Sequence, residues 1–276
     1  MLLGELVKNM TVRFRDVGIL TPALDAEVLI SSVLDLERYK LVADKDRLLT
    51  KEEILAIEKY AKRRLKFEPV AYITGQKEFY SLEFFVNRDV LIPRPETELL
   101  VDMAVYWGAH GSRALDLGTG SGAIAVALKH SRPDMIVCAS DISDRALKVA
   151  RKNAKRILGA RKVSFIAGDL FSPFEGEKFN LIVSNPPYVD ADLKGKLQRD
   201  IDFEPPSALF CSNGGRDIIE RIIENAHTCL EDHGVLLLEI GSDQQSFVIK
   251  KGKKYGYNVS ILNDLSGLPR VATLKR

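Results

Sequence analysis

The tetrapeptide Asn185-Pro186-Pro187-Tyr188 has residue types and a spacing that suit the orientation of a planar NH2 group. An amide or aromatic amine is a weak nucleophile because its lone pair is delocalised. The Asn185 side-chain oxygen and the Pro186 carbonyl can accept hydrogen bonds from both N–H groups, which favours charge developing on the nitrogen. The prolines stiffen the loop without adding donors, and the Tyr188 ring can pack on a flat substrate. We predict that Asn185, Pro186 and Tyr188 are catalytic and that the tetrapeptide binds substrate. The alternative is a simple turn after a buried strand.

The stretch Asp116-Leu-Gly-Thr-Gly-Ser-Gly122 predicts a ligand-binding loop between a strand and a helix. Its glycines let the backbone turn tightly and approach a ligand where a Cβ atom would collide. Asp141 ends the next predicted strand, nineteen residues after Gly122, and its carboxylate can accept hydrogen bonds from a ribose diol. Asp169 follows the third predicted strand near the same sheet edge. Together these residues indicate a site for an adenosine-type ligand.

This loop and its acid do not by themselves distinguish a nicotinamide dinucleotide from S-adenosyl-L-methionine. Dinucleotide sites favour G-x-G-x-x-G, with a pyrophosphate at the helix N-terminus. The spacing here is G-T-G-S-G preceded by Asp116, which resembles the methyltransferase loop that holds the amino-acid end of S-adenosylmethionine. The alternative role of Asp141, capping the next helix, is less favoured because Ser143 is itself a suitable N-cap. We therefore predict S-adenosylmethionine as the cofactor.

Strand and helix patterns alternate from about residue 97 onward, which indicates a parallel sheet covered by helices. Such a sheet would bring the glycine loop, Asp141, Asp169 and NPPY to one edge. We predict helices near 121–131, 143–158, 215–231 and 243–255, and strands at 113–117, 135–140, 163–167, 179–184, 234–240, 257–262 and 270–275. The last two strands are joined by a loop too short for a crossover, so they should pair antiparallel. This α/β layout, a Rossmann-like seven-stranded sheet with the last strand antiparallel, is similar to class I S-adenosylmethionine-dependent methyltransferases.

The chain ahead of this sheet shows helical patterns first and then a short strand pattern. Thr21-Pro22 predicts a helix start with an N-cap, and Thr50 with Glu53 predicts a capping box. Aromatic and β-branched residues then alternate through 79–92, which indicates a β-hairpin. We predict three parts, namely a helical substrate-recognition domain at 1–68, a β-hairpin linker at 69–98 and a methyltransferase catalytic domain at 99–276.

A basic cluster in the second helix of this domain could be read as an RNA-binding patch; it comprises Lys59, Lys62, Arg63, Arg64 and Lys66. Acidic and basic residues are nearly balanced across residues 1–70, which favours a solvated helix face instead. The net charge of the whole chain is only +2, so composition gives no case for nucleic-acid or membrane partners.

Other compositional features point to an ordinary cytoplasmic protein. The cysteines lack metal-ligand spacing and the four histidines are scattered, so we predict reduced thiols and no metal site. The N-terminus lacks the apolar run of a signal peptide, and no stretch is long enough for a membrane span.

Several segments together resemble the release-factor glutamine methyltransferase family (HemK/PrmC) over essentially the whole chain. They are PVAYITG (69–75), VLIPRPETE (90–98), ALDLGTGSGAIA (114–125), GDLF (168–171), SNPPY (184–188), FEP (203–205) and LEIG (238–241). The resemblance implies methyl transfer to the side-chain amide nitrogen of the glutamine in the Gly-Gly-Gln motif of class I peptide-chain release factors.

The resemblance also implies roles for individual residues. In this family pattern Gly118 to Gly122 bind cofactor, Asp141 holds the ribose, and Asp169 with Leu170 lies against the adenine. The implied cofactor-binding set is Gly118, Thr119, Gly120, Ser121, Gly122, Asp141, Asp169, Leu170 and Asn185. Arg94, Glu96 and Thr97 would form one wall of the site. Some family members carry an aromatic residue where Leu170 stands, and the charged segment 190–201 has the character of a mobile lid.

Other functions are compatible with parts of these patterns. The NPPY motif also resembles that of adenine-N6 methyltransferases acting on DNA or RNA, but such enzymes usually carry a basic surface. A regulatory protein that binds cofactor without catalysis would not need the intact NPPY. A nicotinamide dehydrogenase is the least favoured alternative.

Overall fold

The structure, a computed structural model, describes all 276 residues and divides into two compact units. Unit 1 comprises Met1–Gln76 and Gln198–Phe203, and unit 2 comprises Lys77–Leu197 and Glu204–Arg276. The helices are α1 (Leu3–Asp16), α2 (Pro22–Leu34), α3 (Lys40–Ala43), α4 (Lys51–Arg64), α5 (Val70–Thr74), α6 (Glu98–Trp107), α7 (Ala123–Ser131), α8 (Asp144–Leu158), α9 (Pro206–Leu209), α10 (Ser212–Gly215), α11 (Asp217–Cys229) and α12 (Gln245–Lys254).

The strands are β1 (Gln76–Phe79), β2 (Leu82–Phe85), β3 (Arg113–Leu117), β4 (Ile136–Asp141), β5 (Val163–Ala167), β6 (Phe179–Ser184), β7 (Val189–Asp190), β8 (Phe210–Cys211), β9 (Leu230–Glu239), β10 (Asn258–Asn263) and β11 (Pro269–Lys275). No helix in the structure combines the length and the apolar composition that crossing a membrane requires.

Unit 1 is built from helices whose starts follow the local capping signals. The predicted capping box of α4 is confirmed, because the Glu53 amide donates to Thr50 Oγ1 and the Thr50 amide donates to the Glu53 carboxylate. Helix α2 begins at Pro22 as predicted, but Thr21 does not cap it through its side chain. The Thr21 hydroxyl instead donates to Asp25 Oδ1 at 2.8 Å, so it orients a carboxylate inside the unit.

One member of the basic cluster lies inside unit 1 rather than on its solvated face. Arg64 is 5% exposed, and its guanidinium pairs with Asp25 at 2.7 Å and with Asp200 at 3.0 Å. Lys59 and Lys62 are exposed, as the prediction of a solvated face requires. The prediction was wrong for Arg64 because a carboxylate distant in the sequence folds against it and offsets the cost of burying its charge.

Unit 2 contains the seven-stranded sheet in the order β10-β11-β9-β6-β3-β4-β5. Strand β11 pairs antiparallel with both β10 and β9, whereas β9, β6, β3, β4 and β5 pair in parallel. The predicted layout of parallel strands with an antiparallel last strand is therefore confirmed. Successive β6 residues alternate between two buried cores, since Leu181 and Val183 join the core of α6 and α7, and Ile182 joins that of α11.

The segment 69–98 contains more than the predicted hairpin. Helix α5 comes first, and the hairpin of β1 and β2 ends at Phe85, earlier than the alternating pattern through residue 92 indicates. Its turn residues Tyr80 and Ser81 both adopt positive φ angles, 54° and 57°, which match the two-residue turns that twisted hairpins favour. Asn153 of α8 fixes β2, because its side chain accepts from the Phe85 amide and donates to the Phe85 carbonyl.

Candidate functional site

The NPPY tetrapeptide follows directly from the buried end of β6. The Ser184 hydroxyl donates to the Leu117 carbonyl at 2.8 Å, which ties the end of β6 to the end of β3. Asn185 Nδ2 then donates to Thr97 Oγ1 at 3.1 Å. Because the NH2 group of Asn185 is directed to Thr97, the side-chain oxygen on the opposite side of the amide is left to accept hydrogen bonds. This is the polarity that recognition of a substrate NH2 group requires.

Tyr188 is anchored by a buried acid at the end of β9. Its hydroxyl donates to Glu239 Oε1 at 3.1 Å, and Glu239 is 1% exposed. Burial raises the pKa of Glu239 above its usual range, although hydrogen bonds from Thr97 and Tyr188 lower it. Burial and the neighbouring Glu239 charge raise the pKa of Tyr188, so its phenol stays neutral. Tyr188 therefore contributes a fixed neutral ring rather than a base.

The glycine loop and Asp141 are brought together as predicted for adjacent strand ends. The Gly120 amide donates to Asp141 Oδ2 at 2.8 Å, and the Ser143 amide donates to Asp141 Oδ1 at 2.8 Å. The Ser143 hydroxyl caps α8 by accepting from the Ala146 amide, so Asp141 is not needed as the side-chain cap. Burial raises the pKa of Asp141, whereas these two amides lower it. Each carboxylate oxygen keeps a lone pair for further acceptance.

The buried side chain of Asp116, which is 2% exposed, holds the glycine loop through hydrogen bonds. Its Oδ2 accepts from the Thr119 hydroxyl at 2.6 Å and from the Ala125 amide at 3.1 Å, while Oδ1 is buried without a hydrogen-bond partner. The Ser121 carbonyl accepts from Asn153. These contacts fix both ends of the loop, so its conformation is set before any ligand binds.

The loop geometry fits an adenosine-type cofactor. A Cβ atom added at Gly118 or Gly120 would meet nothing within 4 Å, so the loop borders open space. The Asp141 carboxylate lies beside Gly120 at this space and offers acceptors, which suits a ligand with hydroxyl donors. No group of three or more His, Cys, Asp or Glu side chains is placed to hold a metal ion.

Asp169 and Leu170 follow Gly168, whose amide donates to the Asp141 carbonyl at 3.1 Å. The Leu170 carbonyl accepts from the Ser140 hydroxyl of β4 at 3.5 Å. Asp169 pairs with Arg221 of α11 at 2.5 Å, and both side chains are partly exposed. The two residues line a cleft of about 570 Å³ that does not include the glycine loop or NPPY. The structure thus places Asp169 and Leu170 beside the end of β4, where Asp141 lies.

Three residues without a predicted role support the site. Asn153 joins α8 to β2 and to the glycine loop, and nothing in its local sequence signals this. Glu204 is 4% exposed and accepts from the Ile92 amide at 3.1 Å and from Arg94 at 2.5 Å. Glu239 carries a usable signal, because an acid at the end of the apolar run LLLEI is unusual for a buried strand.

Comparison with family models and curated proteins agrees with these features. Residues 5–75 match the PrmC N-terminal domain, and residues 95–201 match the methyltransferase small domain. The chain is 44% identical over 260 residues to the release factor glutamine methyltransferase of Leptospira interrogans, covering 92% of this chain and 91% of that protein. It is 43% identical over 254 residues to the protein of the same name from Neisseria gonorrhoeae, covering 91% and 92%. A bifunctional methyltransferase of Rickettsia conorii is 36% identical, and the chain spans 56% of its length.

Solved structures show the fold. The hMettl16 catalytic domain, in complex with MAT2A 3′UTR hairpin 1, matches with a TM-score of 0.59 at 13% identity over 84% of each chain. A methyltransferase from Pyrococcus furiosus matches with a TM-score of 0.53 at 20% identity, over 72% of this chain and 90% of that one. These matches and the methyltransferase small domain confirm the predicted class I methyltransferase fold. Because the identity to curated relatives extends over most of both chains, this chain belongs to the release factor glutamine methyltransferase family.

Proposed function

We propose that this protein transfers a methyl group from S-adenosylmethionine to the side-chain amide nitrogen of a glutamine in class I peptide-chain release factors. The observation that carries the proposal is the Asn185 amide, whose NH2 group is held by Thr97 so that its oxygen is left as an acceptor. The names of the curated relatives support glutamine over adenine as the substrate. We place the methylated glutamine in the Gly-Gly-Gln motif, in the cytoplasm where translation termination occurs.

The reaction requires an oriented nitrogen more than it requires a strong base. S-adenosylmethionine would supply an electrophilic methyl carbon on a positively charged sulfur. The Asn185 oxygen and the Pro186 carbonyl would accept both N–H bonds of the glutamine amide, and the Tyr188 ring would pack on its plane. Transfer would form the N–C bond while the S–C bond breaks with its electron pair on sulfur, and the nitrogen would then release one proton.

The cofactor would be held by the residues at the ends of β3, β4 and β5. The glycine loop from Gly118 through Thr119, Gly120 and Ser121 to Gly122 would contact its amino-acid end. Asp141 would accept from the ribose hydroxyls, and Asp169 with Leu170 would border the adenine. We assign recognition of the release factor to the helical residues 1–68 and connection between the two parts to residues 69–98.

A labelled-methyl assay tests the proposed substrate. Purified protein is incubated with methyl-labelled S-adenosylmethionine and a class I release factor, with DNA and RNA as parallel substrates. We expect label in the release factor, and none when the glutamine of its Gly-Gly-Gln motif is replaced by alanine. Label in nucleic acid but not in the release factor would instead support the adenine-N6 alternative.

The role of Asn185 is tested by the substitution Asn185→Ala. We expect methyl transfer to fall by about 100- to 1,000-fold, because one acceptor for the reacting NH2 group is lost. Binding of S-adenosylhomocysteine, measured by calorimetric titration, should change little because the glycine loop and Asp141 are intact. Unchanged turnover in this variant would contradict the proposed mechanism.

A further inference from the structure

The side chain of Gln244 lies behind the NPPY loop and contacts three backbone groups. Its Oε1 accepts from the Gly241 amide at 3.0 Å, and its Nε2 donates to the Tyr188 carbonyl at 3.1 Å and to the Gly215 carbonyl at 2.8 Å. Gln244 is 1% exposed, so these hydrogen bonds are shielded from water. One buried amide therefore ties the end of the NPPY loop to the chain after β9 and to α10.

The orientation of the Gln244 amide follows from the chemistry of its partners. A backbone N–H group can only donate a hydrogen bond, and a backbone carbonyl can only accept one. The Gly241 amide must therefore face the side-chain oxygen of Gln244, and the two carbonyls must face its NH2 group. An amide turned by 180° would place N–H against N–H and oxygen against oxygen, so all three contacts favour the same orientation.

The turn that supplies the Gly215 carbonyl is also packed directly against the Tyr188 carbonyl. A Cβ atom added at Gly215 would overlap the Tyr188 carbonyl oxygen and lie 2.8 Å from its carbonyl carbon. The preceding residue, Gly214, has a similar positive φ angle, 64° against 75°, but a Cβ atom there would meet nothing within 4 Å. The two glycines thus share a backbone conformation, and of the two it is Gly215 that leaves room for the NPPY loop.

These contacts restrict the Pro186 carbonyl, which is one of the two acceptors in the proposed reaction. The Cys211 thiol donates to the Pro187 carbonyl at 3.1 Å, and Gln244 holds the next carbonyl along the chain. The ring of Pro187 fixes the φ angle between the peptide plane that contains the Pro186 carbonyl and the following plane. Because the two following carbonyls are held and this φ angle is fixed, the Pro186 carbonyl has little freedom to turn. Its direction is therefore set by residues behind the loop.

We propose that Gln244 and Gly215 are positioning residues that hold the NPPY loop with the Pro186 carbonyl directed at the substrate NH2 group. The inference rests on the proposed function, because a fixed Pro186 acceptor is of use with an NH2 substrate. Gln244 holds the Tyr188 carbonyl by a hydrogen bond, and Gly215 leaves the space that this carbonyl occupies. Neither residue touches the reacting atoms in this role, and the effect of both passes through the loop.

The first kinetic test compares Gly215→Ala with Gly214→Ala in the full-length chain. Both variants place a side chain at a positive φ angle, so backbone strain is matched, but the new methyl group displaces the Tyr188 carbonyl in Gly215→Ala alone. We expect kcat for methylation of a release factor to fall by about 10- to 100-fold in Gly215→Ala, because misplacement of a reacting group costs on that order. Gly214→Ala should keep the kcat of the wild type. Equal kcat values in the two variants would overturn the role of Gly215.

A second substitution, Gln244→Met, removes the amide and keeps a side chain of similar length. We expect kcat to fall by about 10-fold or more, while the KM for the release factor and the affinity for S-adenosylhomocysteine stay close to those of the wild type. Val248→Ala is the matched control, because Val248 is fully buried four residues further on in α12 and its apolar side chain makes no hydrogen bond. Assays are run where urea unfolding shows every variant to be folded. Wild-type kcat in Gln244→Met, or an equal loss in Val248→Ala, would overturn the role of Gln244.

A readout that needs no substrate separates this inference from the proposed function. Hydrogen exchange followed by mass spectrometry measures the opening of the peptide that carries the Tyr188 and Val189 amides. We expect exchange of this peptide to accelerate by about 10-fold or more in Gln244→Met, because the loop loses a buried hydrogen bond, and to stay near the wild-type rate in Val248→Ala. Equal exchange in wild type and Gln244→Met would refute the restraint on the loop. Failure of the wild type to methylate release factors would instead refute the proposed function and leave this restraint in place.

Discussion

Asp116 is a carboxyl group that the fold removes almost entirely from water. Burial raises its pKa from 3.8 to about 7, and the nearby Asp141 charge adds to the rise, although the Thr119 hydroxyl and the Ala125 amide oppose it. Between pH 3.8 and about 7, the folded protein keeps the proton on Asp116, whereas the unfolded chain releases it. The free energy of unfolding therefore falls as the pH rises through this window, and the contribution of Asp116 is lost once the pH exceeds about 7.

We predict that Asp116→Asn becomes progressively more stable relative to wild type as the pH rises from 5 to 8. Over the whole titration, the difference in unfolding free energy between the two proteins should change by at most about 4 kcal/mol, since one pKa unit corresponds to about 1.36 kcal/mol. Urea unfolding of both proteins across this range measures it. Asp134→Asn is the control: an ion pair with Arg132 lowers the pKa of Asp134, so its contribution is constant over these pH values. A stability difference for Asp116→Asn that does not vary with pH would contradict the predicted titration.

At the scale of elements, the loop between β3 and α7 uses two glycines for different physical reasons. Gly120 and Gly122 both have positive φ angles, 56° and 81°, which cost another residue about 1–2 kcal/mol. A Cβ at Gly122 would lie 3.1 Å from the Ala150 Cβ and 3.2 Å from its Cα, so it would press on α8. A Cβ at Gly120 would meet only open space. Gly122 therefore serves the packing of α7 against α8, whereas Gly120 leaves room for a ligand.

We predict opposite phenotypes for alanine at these two positions. Gly122→Ala should lose about 1–3 kcal/mol more unfolding free energy than Gly120→Ala, because overpacking adds to backbone strain. Gly120→Ala should lose at least about 10-fold in affinity for S-adenosylhomocysteine, since its methyl group enters the space that the cofactor would occupy. Urea unfolding and calorimetric titration of both variants measure the two effects. Equal losses of affinity and stability in the two variants would argue against this division of roles.

At the scale of the whole molecule, unit 1 is formed by two separate segments of the chain, Met1–Gln76 and Gln198–Phe203. Residues 198–203 follow the segment after NPPY and belong to the helical unit rather than to the sheet unit. Within unit 1, Asp200 reaches Arg64 at 3.0 Å, and the Arg199 guanidinium lies 4.7 Å from the centre of the Phe67 ring. Arg64 also pairs with Asp25, whose side chain is 8% exposed, against 35% for Asp200. The two partners of one arginine thus differ strongly in burial.

We predict that Asp25→Asn destabilises unit 1 far more than Asp200→Asn. Removing the buried partner leaves a largely uncompensated charge and costs about 3–5 kcal/mol. Removing the more exposed partner costs about 1 kcal/mol or less, because water screens the pair. Hydrogen exchange of peptides from α1 and α2, followed by mass spectrometry, reports the stability of this unit. Similar exchange in the two variants would show that burial does not distinguish the two ion pairs.

Local patterns in the sequence determined the elements and the position of the reacting groups. Strands β3 to β6 were predictable because buried parallel strands are short apolar runs, and these runs end at the glycine loop, Asp141, Asp169 and NPPY. The antiparallel last strand followed from the length of one loop. Turn and capping residues act within a few positions of themselves, so the capping box of α4 was also readable.

Only the tertiary structure decided which distant side chains orient those groups. Thr97 lies 88 residues before Asn185, and Glu239 lies 51 residues after Tyr188. They meet NPPY because β9 pairs beside β6 and the turn before α6 lies at the same end of the sheet. The same holds for Arg64, whose partner Asp25 is 39 residues away. The physical reason is that periodicity and capping are properties of neighbouring residues, whereas a hydrogen bond between buried polar groups depends on the order in which strands and helices pack.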